Sequence, residues 1–198
     1  MTLVASVATV GRQQERHETA TPLGVGVAIW LASELMFFAG LFAAYFALKA
    51  HNEPAWPPPD VHFELWRTGL FTSVLVISSF TVHFAVKAAE EGRRQRSLWL
   101  MITTVVLGAL FLVNQLLEYA GFDFTVESNA FGTIFYTLTG FHALHVAAGL
   151  IALSMVIWVV FSRRSQVPSA HTLRVTGYYW HLVDVVWIAV FLTVYVLR

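Results

Sequence analysis

The sequence contains no cysteine. That absence excludes disulfides, thiolate-bound metals and cysteine nucleophiles. Charge is also scarce. Asp, Glu, Lys and Arg make up 12% of the chain, about half of the roughly 25% usual for a soluble domain. The 12 basic residues balance the 12 acidic ones, so no basic excess marks a nucleic-acid-binding surface. No internal repeat or low-complexity tract is present, which argues against the repeat-built architecture common among transporters.

What fills the chain instead is apolar: 57% of residues are hydrophobic and 15% aromatic. Five apolar stretches, near residues 23–49, 68–90, 97–119, 130–161 and 174–197, each exceed the roughly 20 residues of helix that cross a bilayer. The expected fold is all-α, a polytopic membrane protein built as a five-transmembrane-helix bundle. A polar tail over 1–22 precedes a single membrane domain over 23–198. The tail carries Arg12, Glu15, Arg16, His17 and Glu18. It lacks the basic start and apolar core of a cleavable signal peptide, so the first apolar segment is expected to stay in the product.

Polar breaks separate the spans. "HNEPAWPPPDVHFE" is a loop, because Pro57, Pro58 and Pro59 leave no helical hydrogen-bond ladder. "EEGRRQRS" reads as a short charged turn. "GFDFTVESN" ends in Asn129, a residue suited to cap the next helix. "SRRSQVPSAHT" is the last break. The fourth stretch, Ala130 to Phe161, has no fully charged residue. At about 1.5 Å per residue it outruns a roughly 30 Å hydrocarbon core, so it is expected to tilt or to project beyond the membrane.

Lys and Arg orient the chain. Arg12 and Arg16 lie in the tail, Lys87, Arg93, Arg94 and Arg96 around the second break, and Arg163, Arg164 and Arg174 around the fourth. The other side keeps Lys49, Arg67 and Arg198 at helix ends. The positive-inside rule therefore puts the N-terminus and the second and fourth loops in the cytoplasm, and the C-terminus outside.

Several polar residues interrupt the spans. Glu34, in "WLASELMFFAGLF", sits about 16 Å into its helix. An ionised carboxylate there costs at least a few kcal/mol unless paired or neutralised. It is a hydrogen-bonded group at a helix contact, a proton carrier or a metal ligand, and no partner is near it in sequence. His142 and His145, in "TGFHALHVAAGL", are three apart and share a helical face. That spacing suits a metal or a haem, or hydrogen bonds to neighbouring helices. His181 and Asp184, in "YYWHLVDVVW", also share a face. The pair is expected to be an imidazolium–carboxylate pair or a plain hydrogen bond, either of which lowers the cost of burial. Tyr178, Tyr179 and Trp180 read as interfacial anchors. Asn114, Gln115 and Glu118 cluster near the outer end of the third span, with Glu118 placed to reach the interface, and His83 stands one turn before Lys87. Both groups read as structural.

"SELMFFAGLF", "WPPP", "LLEY", "FGTIFYTLTGFHALHVAAG" and "YYWHLVDVVWIAVF" follow one another in this order over residues 24–198. Together they closely resemble cytochrome c oxidase subunit III, and they are similar to its five-helix bacterial form. In the seven-span mitochondrial form two helices precede "SELMFF"; here a short polar tail stands before it. The resemblance implies a non-catalytic subunit of a haem–copper terminal oxidase in aerobic respiration. Such a subunit lies in the bacterial cytoplasmic membrane, packs on subunit I near subunit II and other oxidase subunits, binds phospholipid and supports proton uptake. It implies no cofactor in this chain, with haem and copper in the partner subunits, and membership of a respiratory supercomplex is compatible with it. Glu34, His142, His145, His181 and Asp184 match the family's buried polar positions, and Arg163 or Arg164 resembles a lipid-headgroup position. Competing readings are subunit III of a quinol oxidase, a nitric-oxide-reductase accessory subunit, and, from other classes, an intramembrane haem or metal enzyme or a proton-coupled transporter.

Overall fold

The computed structural model describes residues 22–52, 56–59, 61, 63–161 and 170–197. It is all-helical over these residues. The elements are α1 (Pro22–Asn52), α2 (Leu65–Glu90), α3 (Arg94–Ala120), α4 (Ala130–Phe161) and α5 (Ala170–Phe191), and α5 runs on into a π-helical turn, Leu192–Val196. All five α-helices are long and apolar enough to cross a membrane. Helices are the expected solution, since a backbone in hydrocarbon must satisfy its own hydrogen bonds.

α4 has the bounds of its apolar stretch, whereas the other helices start earlier or end later than theirs. α1 continues through Lys49 to Asn52, whose side-chain amide donates to the Leu48 carbonyl at 2.7 Å. α3 begins at Arg94, because the α2–α3 reversal is short. Gly92 adopts φ +73°, a conformation that favours glycine. The N–H of Arg93 reaches the Ala88 carbonyl at 2.8 Å and that of Gly92 reaches Ala89 at 3.0 Å, the bond pair of a Schellman cap. Asn129 caps α4, its Oδ1 accepting from the Gly132 N–H at 2.7 Å. α4 is unbroken over 32 residues, about 48 Å of helix.

Packing is sequential with one late return. α2 pairs with α3, α3 with α4 and α4 with α5, and α5 comes back against α2. α1 lies against α4 and α5. The centre of the bundle is Trp180, fully buried between α3 and α4. A methyl group on Gly108 would fall 2.6 Å from its ring, and one on Gly149 would fall 2.9 Å from it. Gly108 of α3 and Gly149 of α4 thus make room for one indole. At the end opposite the α2–α3 turn, the loop residues Trp56, Phe63, Phe122 and Phe124 pack their rings with those of Phe131, Phe135 and Tyr195.

Candidate functional site

The polar residues of the spans gather where α1 meets α4, where α5 meets α2 and where α2 meets α3. In the first, Glu34 and His145, 111 residues apart, come together: Glu34 Oε2 lies 2.9 Å from His145 Nε2. Glu34 Oε1 accepts from Trp30 Nε1 at 3.0 Å. His145 Nδ1 lies 2.7 Å from the Phe141 carbonyl of its own helix. A carbonyl only accepts, so Nδ1 carries a hydrogen. One further hydrogen is shared between Nε2 and Oε2, and the pair is formally neutral whichever atom holds it. That neutrality is what allows a carboxyl at this depth. Tyr179 completes the seam. Its ring stacks on Trp30 at 5.2 Å, and its hydroxyl donates to the His145 carbonyl at 3.0 Å. The pair is half-buried, with Glu34 23% and His145 19% exposed at the side chain.

His142 does not join its neighbour. It points into the bundle, fully buried, with its ring 4.8 Å from that of Trp187 and 6.1 Å from that of Phe111. Neither ring nitrogen makes a hydrogen bond among the described residues. The two histidines, expected to act from one face, meet different side chains: His142 faces Phe111 of α3 and Trp187 of α5, whereas His145 meets Glu34 of α1.

The second seam runs along α2. Trp187 Nε1 donates to Thr72 Oγ1, and Trp180 Nε1 to Ser78 Oγ, each at 3.0 Å. His181 Nδ1 lies 2.6 Å from Ser79 Oγ. The expected direct bond between His181 and Asp184 does not form among the described residues. His181 turns to α2 instead, and Asp184 is buried with no hydrogen bond closed to either oxygen. Ser79 is the polar side chain that stands by both. The α2 hydroxyls are the residues that sequence reasoning passed over. Their signal was available, since Thr68, Thr72 and Ser79 recur at helical spacing on one face. Trp180 and Tyr179 also depart from the interfacial role expected of them. Both are buried, and Tyr178 alone of the three is exposed.

A third polar group joins α2 to α3. Arg67 Nε donates to Asn114 Oδ1 at 2.8 Å, and Thr68 Oγ1 donates to Glu118 Oε1 at 3.0 Å. Glu118 is therefore a buried acceptor rather than a group reaching the interface. Arg163 and Arg164 lie outside the described residues.

No three His, Asp or Glu side chains among the described residues converge as a metal cage. What these seams can do is hold helices in register by hydrogen bonds and, at Glu34–His145, keep one proton shared between two groups.

Similarity to known proteins agrees with the architecture. The family profile described as Cytochrome c oxidase subunit III matches residues 3–198, which carries the likeness back through most of the polar tail. The chain is 42% identical to the probable cytochrome c oxidase subunit 3 of Nocardia farcinica over 195 residues, covering 93% of this chain and 94% of that one. It is 41% identical to the probable subunit 3 of Mycobacterium tuberculosis over 184 residues, 89% and 88% of the two chains. Cytochrome c oxidase subunit 3 of Thermostichus vulcanus is 37% identical over 198 residues, 98% and 96% of the two chains. With five membrane-length helices and these relatives, the chain belongs to the cytochrome c oxidase subunit III family.

Proposed function

We propose that the chain works as a non-catalytic subunit of its haem–copper oxidase. In this reading it braces subunit I within the membrane, holds phospholipid and sustains proton uptake, while haem and copper reside in partner subunits. The observation that carries the reading is the Glu34–His145 pair. All four of its polar side-chain atoms are engaged within the chain, so a metal could reach the imidazole of His145 only by breaking one of these bonds. His142 supports the same reading, since its ring is walled by Trp187 and Phe111. The N-terminus and the α2–α3 turn face the cytoplasm and the C-terminus faces the other side, by the Lys/Arg asymmetry.

Two measurements test this. Metal analysis and optical spectra of the separated subunit should be blank while the complex retains its haem and copper. Stoichiometric haem or copper on this chain would replace the bracing role with a redox one. Reporter tags at the N-terminus and within 90–97 should read cytoplasmic and a C-terminal tag the opposite; a cytoplasmic C-terminus would overturn the orientation.

A further inference from the structure

A groove of about 300 Å³ opens between α2 and α5 near the end that carries the α2–α3 turn. His83, Lys87 and Glu90 line it from α2, and Arg174, Tyr178 and His181 line it from α5. Arg174 spans the groove and meets Glu90, with Nη2 2.6 Å and Nε 3.2 Å from Glu90 Oε1. The one carboxylate in the lining is thus matched by a guanidinium, and Lys87 adds a second positive charge. Lys87, His83 and Tyr178 are all exposed, and each carries a donor of the kind phosphate oxygens accept.

Deeper along the same two walls the chemistry changes. Phe80 precedes His83 by three residues, and Val185 follows His181 by four, so each continues its wall by one helical turn. Both are 60% exposed. A basic mouth at the helix ends, leading into an apolar trough, is complementary to an amphiphile rather than to a free anion. Basic pockets between transmembrane helices on the cytoplasmic side bind anionic headgroups for this reason.

We infer that the α2–α5 groove binds one anionic phospholipid of the cytoplasmic leaflet. Its phosphate lies against Lys87 and Tyr178, with Arg174 adding to the field, and an acyl chain runs past Phe80 and Val185. These are not the residues, Arg163 and Arg164, on which the family resemblance suggests a headgroup. The leaflet rests on the orientation proposed above; the groove does not.

Native mass spectrometry of the detergent-solubilised oxidase complex tests the site. The complex is supplied in turn with cardiolipin, phosphatidylglycerol, phosphatidylcholine and inorganic phosphate. One anionic lipid should stay on this chain in preference to phosphatidylcholine. Lys87→Gln should lower its occupancy about fivefold and Lys87→Glu about 30-fold, as expected for losing one and two charges' worth of attraction. Arg96→Gln, an exposed basic residue outside the groove lining, should leave occupancy unchanged. Equal retention of phosphatidylcholine would overturn the inference, and so would an equal loss in Arg96→Gln, which would mean diffuse charge. Inorganic phosphate competing as well as lipid would make the ligand a free anion and overturn the lipid assignment. Tags that place 90–97 outside would change the leaflet while leaving the Lys87 effect in place, so the two failures are distinguishable.

Discussion

α1 and α5 are both apolar helices of one bundle, yet they are held in different ways. In α1, 6% of the most apolar window is buried, against 56% in α5. α5 is fixed by area. Trp180, Val183, Val186, Trp187 and Val190 are all buried, and its contacts with the α2 hydroxyls set register on top of that packing. α1 buries less, chiefly Phe38 and Tyr45, and leans on the acid–imidazole pair, the stacked indole, ring contacts of Phe37 and Phe38 with α4, and bonds near its far end. Lipid tails are as apolar as the helix surface, so apolar faces gain no hydrophobic free energy by leaving them and gain only through close packing. A helix with a thin contact therefore depends on directional bonds, whereas a well-packed one uses them for alignment.

The sharpest way to break the packed side is Gly108→Val. Its Cβ would fall 2.6 Å and 2.7 Å from two Trp180 ring carbons and 3.0 Å from Leu150, and Trp180 is tethered through Ser78. Overpacking of this kind costs about 1–3 kcal/mol and sometimes more. A clear fall in the unfolding temperature of the complex in detergent is expected; an unchanged one would mean that Trp180 is not the keystone.

The thin side breaks at Glu34. Glu34→Ala strands His145 Nε2 and Trp30 Nε1 at a cost of about 1–3 kcal/mol. α1 should loosen, and activity should fade faster over repeated turnovers. Glu34→Gln can still donate to Nε2 and accept from Trp30, so it should assemble and begin turnover at nearly the normal rate. Oxygen consumption followed over many turnovers separates the two variants. Immediate and complete loss of proton uptake in an assembled Gln variant would make Glu34 a carrier.

Smaller effects belong to the α2 seam. Ser79→Ala removes the hydroxyl beside His181 and Asp184. It should cost about 1 kcal/mol by leaving His181 Nδ1 without its partner, read as a modest drop in thermal stability. Thr72→Val keeps the shape and removes the acceptor of Trp187. About 0.6 kcal/mol is expected, the average for such bonds in membranes. If Thr72→Val proved costlier than Glu34→Ala, the contrast between the packed and the bonded helix would be reversed.

Helix number and type were legible in the sequence because each span is long, apolar and bounded by prolines, glycines or charges. Helix ends were less so: α1 runs past Lys49 because a polar residue such as Asn52 can still bond back to its own helix. The residues Glu34, His145, His181 and Asp184 could be picked out as unusual, since charge inside an apolar run is costly. Their partners could not. Glu34 and His145 are brought together by the placing of α1 against α4, which depends on packing over the whole bundle. His181 and Asp184 share a face, which predicts a bond between them, but His181 bonds to Ser79 on another helix instead. Serine and threonine attracted no notice because, unlike a carboxylate, a hydroxyl in a membrane helix can bond to its own backbone, as Thr72 does to the Thr68 carbonyl.

The π-helical turn at Leu192–Val196 has a bearing on biosynthesis. Tyr45 donates to the Thr193 carbonyl at 3.3 Å and Lys49 to the Leu197 carbonyl at 2.8 Å, each across 148 residues. At roughly 5–20 residues per second, those acceptors are made on the order of ten seconds after their donors. α1 enters the bilayer long before the groups that clasp its end exist. Its other contacts, α4 and α5, also come late in the order of synthesis. The first helix is thus left waiting while α2 and α3 close on each other through their tight turn, and any factor that shelters a lone apolar helix would act in that interval.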